Sequence, residues 1–219
     1  MTLLVLAGGE SRRMRRDKAS LPVPGGTLVD LVATPLAGMF EEAIVCVAAG
    51  VSRPRSRGAY RLEEDEAAGQ GPLRGILTGL RAAAHDACFV IACDMPGADP
   101  ASVRAIVRAS KGRDIAVAET PAGLCEPLFG VYRKNAIPVI EGLLAEGKKS
   151  VLTLHARMRV RRLKLAAARL PANINTPRDL RAYLKKAPLR PRDRRLIQGQ
   201  RSTRSKGEAE TVSRRERMR

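Results

Sequence analysis

A short apolar run, Leu3-Leu4-Val5-Leu6-Ala7, stops at Gly8-Gly9 and gives way to a polar, cationic segment that closes on Asp17-Lys18. The run has the length of a strand, and two later stretches repeat the pattern: Ala43 to Ala48 and Cys88 to Ala92 are continuously apolar, as parallel strands covered on both faces are. Between and after them lie helical periods. A chain of 219 residues has room for one sizeable α/β domain and is short for two. The expected fold is a single Rossmann-like three-layer α/β domain with a mostly parallel sheet over residues 1–184, followed by a basic, disordered tail over 185–219.

The segment after the first run is built to meet an anion. Glycines let backbone N–H groups come close to a phosphate, successive N–H groups make a concave nest, and Arg13 and Lys18 add positive charge. The spacing fits neither common glycine signature. A P-loop would end in Gly-Lys-Ser/Thr, and a dinucleotide fingerprint would need a third glycine opening a helix.

Further along, Leu21 to Gly26 reads as a turn, and Leu28, Leu31, Val32 and Leu36 mark one face of a helix that Pro35 is expected to bend or end early. Residues 50–58 read as a loop, and Tyr60 to Leu62 as a short strand delivering the acidic patch Glu63-Glu64-Asp65-Glu66. In Gly69 to Leu80, Pro72 suits a first helical turn and Leu73, Ile76, Leu77 and Leu80 share a face. Gly75 and Gly79 keep one side of that helix slim, for the close approach of a ligand or of a strand. Asp94 follows the Cys88–Ala92 run. Ligand crevices of open α/β sheets lie at the carboxyl ends of strands, which makes Asp94 the candidate metal ligand, the alternative being a cap for the next turn. Asp99-Pro100 opens a helix, Ile115 to Ala118 is a strand, and Glu126 to Tyr132 leads into a helix with Ile137, Ile140 and Leu144, closed by Gly147. Ser150 follows two lysines at the start of another short helix. Val160 to Leu165 alternates as a half-exposed strand, and Thr176, Pro177 and Asp179 announce a last helix. Asn173 and Asn175, just before it, read equally as turn formers.

Composition narrows the function. No apolar run approaches a membrane span, and the first is too short for a signal sequence, so a cytosolic protein is expected. Cys46, Cys88, Cys93 and Cys125 form no CxxC pair and read as free thiols; His85 and His155 are isolated and read as ordinary surface or boundary residues. The net charge of +18 suggests nucleic acid until its distribution is seen. Residues 185–219 carry thirteen Lys and Arg against four Asp and Glu, half the excess, in a segment without apolar periodicity. Any nucleic-acid binding would then be non-specific and confined to the tail.

The run Leu6-Ala7-Gly8-Gly9-Glu10-Ser11-Arg12-Arg13-Met14-Arg15-Arg16-Asp17-Lys18 resembles the nucleotide loop of the small-molecule nucleotidyltransferases, Leu-Ala-Gly/Ala-Gly-x-Ser-x-Arg-Met-Gly-x-Asp-Lys. Gly8 with Asp17-Lys18 is most similar to the molybdenum cofactor guanylyltransferases. Arg15 departs from the family glycine. Gly71-Pro72-Leu73-Arg74-Gly75-Ile76, Cys93-Asp94-Met95-Pro96, the Glu126–Tyr132 block and Asn173-Ile174-Asn175-Thr176-Pro177 also resemble that family, in its order. The resemblance implies a cytoplasmic enzyme that transfers GMP from GTP to molybdopterin bearing molybdenum, with Mg²⁺ as cofactor and molybdoenzyme maturation proteins as partners. By the same resemblance Arg13, Lys18 and Asp94 are catalytic, Leu6, Ala7, Gly8, Lys18, Asp65 and Asp94 bind the nucleotide, Asp94 holds the metal, and Asn173 and Asn175 face the pterin. Two other readings stay open: a cytidylyltransferase or other nucleotidyltransferase acting on a phosphorylated metabolite, and a non-catalytic anion- or nucleic-acid-binding module.

Overall fold

The apolar strands are buried because each feeds two cores at once. In the computed structural model, which describes residues 1–8, 20–50, 60–67 and 69–186, the first strand, β1 (Thr2–Leu6), sends Leu3 and Val5 to one face of a sheet and Leu4 and Leu6 to the other. Alternation along a strand makes this unavoidable, and helices on both faces turn it into stability. A small hairpin, β2 (Pro22–Val23) and β3 (Gly26–Thr27), stands where a turn was expected. It leads into α1 (Leu28–Ala37), β4 (Glu42–Val47), β5 (Arg61–Glu64), α2 (Gly71–Ala82), β6 (Ala87–Ala92), α3 (Pro100–Ala109), β7 (Ile115–Glu119), β8 (Cys125–Arg133), α4 (Ile137–Ala145), α5 (Val151–His155), β9 (Val160–Lys164) and α6 (Pro177–Lys186).

The seven-stranded sheet has the order β5-β4-β1-β6-β8-β7-β9. All neighbours are parallel except β8, which runs antiparallel to both β6 and β7. α1 and α3 cover one face through Val29, Val32, Leu36, Val103 and Ile106, while α2, α4 and α5 cover the other through Leu73, Ile76, Leu80, Ile140, Leu143 and Leu154. The fold is thus a three-layer α/β domain with a mostly parallel sheet. Without tryptophan, its three phenylalanines concentrate in the first core, where Phe89 meets Phe129 edge-on at 5.4 Å and Phe40 at 5.8 Å.

Two local expectations are corrected, and one pair of alternatives narrows to its second member. Pro35 neither ends nor shortens α1, which continues to Ala37; Pro35 is solvent-exposed, so the carbonyl that loses its N–H partner is left on the side where water can satisfy it. The strand read at Tyr60 to Leu62 takes in Glu63 and Glu64 as β5, a sheet edge on which charge is well placed to discourage further pairing. The slim side of α2 serves a strand and not a ligand. A Cβ on Gly79 would lie 2.6 Å from Cδ1 of Leu4 and 3.0 Å from Sγ of Cys46, and one on Gly75 would lie 3.3 Å from Leu6.

The expected caps formed. Asp99 accepts hydrogen bonds from the N–H groups of Ala101 and Ser102 at the start of α3, and Thr176 and Asp179 make a reciprocal box at the start of α6. Lys185 and Lys186, the first two residues of the segment read as tail, close α6. The rest of that segment, and the 51–58 part of the expected loop, lie outside the described residues.

Candidate active site

Strand order reverses beside β1, since β4 and β5 lie on one side of it and β6 on the other. In such a sheet the crevice opens at the carboxyl ends of those strands. The chain is held together there by backbone hydrogen bonds that continue the ladder one residue past the strands: Ala7 N–H donates to the Cys46 carbonyl (2.7 Å), Cys93 N–H to the Leu6 carbonyl (2.9 Å), and Asp65 N–H to the Val47 carbonyl (2.8 Å). These bonds place Ala7-Gly8, Cys93-Asp94 and Asp65 side by side at one end of the sheet. Gly8 is glycine for a reason of space, because a Cβ would sit 3.1 Å from the backbone nitrogen of Ala48.

Asp94 is half-buried in a turn closed by a hydrogen bond from Met95 N–H to the Ala92 carbonyl (3.1 Å). The helix that follows, α3, is capped by Asp99 and not by Asp94. The backbone carbonyl of Asp94 accepts from Ile174 N–H (2.8 Å), and that of Pro96 accepts from Ala172 N–H (3.0 Å). The Asn173–Asn175 segment is therefore strapped to the carboxylate-bearing turn. Ile174 is buried and anchors the strap, while Asn173 and Asn175 on either side are exposed, the amide of Asn175 donating to Oδ1 of Asn173 (3.1 Å). The strap is fastened a second time at Gly97, whose φ of +77° suits glycine alone and whose missing side chain makes room for the Tyr183 hydroxyl of α6, 3.0 Å from where a Cβ would stand.

Asp65 is buried, and its Oδ1 accepts a hydrogen bond from the Thr78 hydroxyl of α2 (2.7 Å). Burial raises its pKa above the usual carboxylate value, against the pull of Thr78 and Arg74. Leu6, Ala7, Gly8, Asp65, Asp94, Asn173 and Asn175 thus gather around one end of the sheet; Arg13, Arg15 and Lys18 lie outside the described residues. Among the described residues no three His, Cys, Asp or Glu side chains cluster as a closed metal cage. A carboxylate such as Asp94 at the crevice suits a hard cation that keeps waters and takes its remaining ligands from a bound phosphate.

One buried group was misread from the sequence. His155 is 7% exposed, and its Nε2 lies 2.8 Å from the Tyr132 hydroxyl. Tyr132 donates to the Pro127 carbonyl (2.5 Å), so its oxygen accepts from Nε2–H, leaving Nδ1 as acceptor with the Cys125 thiol 3.8 Å away. Burial, with Arg162 nearby, lowers the His155 pKa to about 4. No apolar period covers this helix of five residues, and only the partner Tyr132, far off in sequence, reveals the burial. The sign of the consequence is fixed: between the unfolded value of about 6.5 and about 4 the unfolded chain binds a proton that the folded one refuses, so stability falls as pH drops through that window. His155→Gln is expected to flatten this segment of the stability profile. Urea midpoints at pH 7 and pH 4.5 check it; equal drops in both proteins would remove His155 as the cause.

Comparison with known proteins agrees with the geometry. A family model described as MobA-like NTP transferase domain matches residues 3–162. A probable molybdenum cofactor guanylyltransferase of Pelotomaculum thermopropionicum is 38% identical over 186 residues, covering 82% of this chain and 89% of the relative. Molybdopterin-guanine dinucleotide biosynthesis protein A of Archaeoglobus fulgidus shares the fold with a TM-score of 0.65 at 24% identity, over 83% of this chain and 96% of that one. A Mycobacterium tuberculosis protein crystallised in complex with manganese shares it with a TM-score of 0.60 at 17% identity, over 85% and 98%. No helix among the described residues is long and apolar enough to cross a membrane. The chain belongs to the MobA-like NTP transferase family, the nucleotidyltransferases that include the molybdenum cofactor guanylyltransferases.

Proposed function

We propose that the protein transfers GMP from GTP to the terminal phosphate of molybdopterin bearing molybdenum, giving the guanine dinucleotide cofactor and pyrophosphate. The observation that carries this reading is the pair of backbone bonds from Cys93 to Leu6 and from Ile174 to Asp94. Together they join a nucleotide-loop strand, a hard carboxylate and an exposed pair of asparagines in one crevice. An oxygen of the acceptor phosphate attacks the α-phosphorus of GTP; the new P–O bond forms as the α–β bridging bond breaks, and pyrophosphate leaves with the electron pair. Little covalent work falls to the protein, so positioning and charge carry the rate. The backbone of Leu6, Ala7 and Gly8 faces base and ribose in this reading, Arg13 and Lys18 neutralise the triphosphate, and Asp94 would hold Mg²⁺, which supplies charge to the phosphates when bound. The four free cysteines suit a reducing, cytoplasmic setting.

Asp65 tests the nucleotide side. Its ionised form is penalised by burial at neutral pH, whereas Asn keeps the shape and still accepts from Thr78. Asp65→Asn is expected to melt no lower than the wild type at pH 7 and to bind GTP more weakly by calorimetry. A lower melting temperature with unchanged affinity would make Asp65 a structural residue alone.

The second reading, cytidylyl transfer, draws on the segment beside Gly8, Val45 to Gly50, which offers no asparagine to a guanine edge. Mass analysis of the product formed from molybdopterin with an equimolar mixture of GTP and CTP decides between them. The guanine dinucleotide is expected; the cytosine dinucleotide as main product would install the second reading.

A further inference from the structure

In a chain with 40 Lys and Arg, a carboxylate without a cation needs a reason. Every other carboxylate among the described residues has a hydrogen-bond or ion-pair partner. Glu126 has none, although it is half-buried, and burial raises its pKa. Leaving a carboxylate half out of water without a donor costs free energy.

Its place in the fold is specific. β8 runs antiparallel beside β6, and Ile91 opposite Phe129 is the last pair of that ladder; the residues before Phe129 therefore lie level with the end of β6 and the Asp94 turn. On the other side, pairing with β7 jumps from Val117–Gly130 to Ala118–Glu126, a bulge. Bulges redirect side chains near sites, and this one is pinned where the buried Tyr132 hydroxyl holds the Pro127 carbonyl. Paired residues share a face, so Glu126 lies on the face of Ala118, which belongs to the same core as Cys93 and Met95, whereas Cys125 turns to the opposite face. The carboxylate thus stands one strand away from Asp94, on the Met95 face.

We infer that Glu126 is a specificity-determining residue for the acceptor, its two carboxylate oxygens receiving the paired N–H donors of a 2-amino-4-oxopyrimidine ring such as a pterin carries. Two acceptor oxygens in one plane match two adjacent N–H donors, and a partly desolvated site makes that match count. Nucleotide phosphates repel such a group by like charge, and the guanine base, which carries the same donor pair, faces Leu6, Ala7 and Gly8 at the end of β1 in the proposed function, with β6 between it and β8, so the role falls to the acceptor ring. This assignment rests on the proposed transfer to molybdopterin.

The test uses full-length protein, molybdopterin and GTP. Glu126→Gln keeps shape and loses charge and half of the acceptor capacity; its KM for molybdopterin is expected to rise by ~10–100-fold, with kcat within a few-fold, KM for GTP unchanged and melting temperature not lowered. Fluorescence titration of molybdopterin without GTP should show the same loss, and Glu126→Asp should recover part of it. Unchanged acceptor KM and affinity in Glu126→Gln, with the wild type active, would overturn the assignment while the proposed function stands. A loss that moves instead with the divalent-cation concentration for half-maximal rate would make Glu126 a metal ligand and equally overturn it. A wild type that neither binds nor modifies molybdopterin would overturn both.

Discussion

Asp94→Ala is expected to lose metal-dependent nucleotidyl transfer by at least ~10²-fold, the scale of removing one preorganised charge-stabilising group, while the protein stays folded. The separation of the two effects follows from where Asp94 makes its contacts. Its structural bond to the Asn173–Asn175 strap uses the backbone carbonyl, which alanine keeps, and the cap of α3 belongs to Asp99. In the proposed function the carboxylate serves the phosphate-bound cation. Transfer rates at saturating metal and nucleotide, with melting curves alongside, check this; wild-type rates in the variant would remove Asp94 from the site, and a collapsed melting curve would assign it a structural role.

Gly130→Ala should give the largest loss of stability. A Cβ at this point of β8 would fall on the carbonyl oxygen of Ala116 and the Cγ1 and Cα of Val117 in β7. Backbone atoms cannot swing aside as a flexible side chain can, so the two strands must separate beside the bulge. Overpacking costs ~1–3 kcal/mol and occasionally more; at the upper end of that range the melting temperature of a domain this size falls by roughly 6–12 °C. Gly142→Ala is the control, because nothing lies within 4 Å of the position in α4 and alanine improves a helix interior by up to ~1 kcal/mol. Thermal melts of the pair check the contrast. A Gly130→Ala protein as stable as the Gly142→Ala protein would mean that the β7–β8 approach is looser than described.

Much of the architecture was legible in the sequence, for physical reasons. Leu3 to Ala7, Ala43 to Ala48 and Cys88 to Ala92 can be stable only inside a sheet covered on both faces, and Leu73, Ile76, Leu77 and Leu80 only on the inner side of a helix; all but the half-buried Ala48 are buried as expected. Local chemistry also announced the caps at Asp99 and Thr176, which use neighbours two or three residues away. What escaped depends on partners distant in the chain. The antiparallel run of β8 leaves no mark on its own residues. Pro35 is tolerated because of the side of α1 it falls on, and His155 is buried because Tyr132 needs its N–H. The candidate site divides in the same way. Gly8 and Asp94 stand at strand ends visible as the ends of apolar runs, whereas the want of a partner for Glu126 emerges only when the hydrogen bonds and ion pairs of the other described carboxylates are known.

Pyrophosphate release from full-length protein with Mg²⁺ and each of the four ribonucleoside triphosphates, with and without molybdopterin bearing molybdenum, tests the proposed reaction. Release is expected with GTP and only when the acceptor is present. Release that needs no acceptor, or that proceeds equally with all four nucleotides, would contradict the assignment.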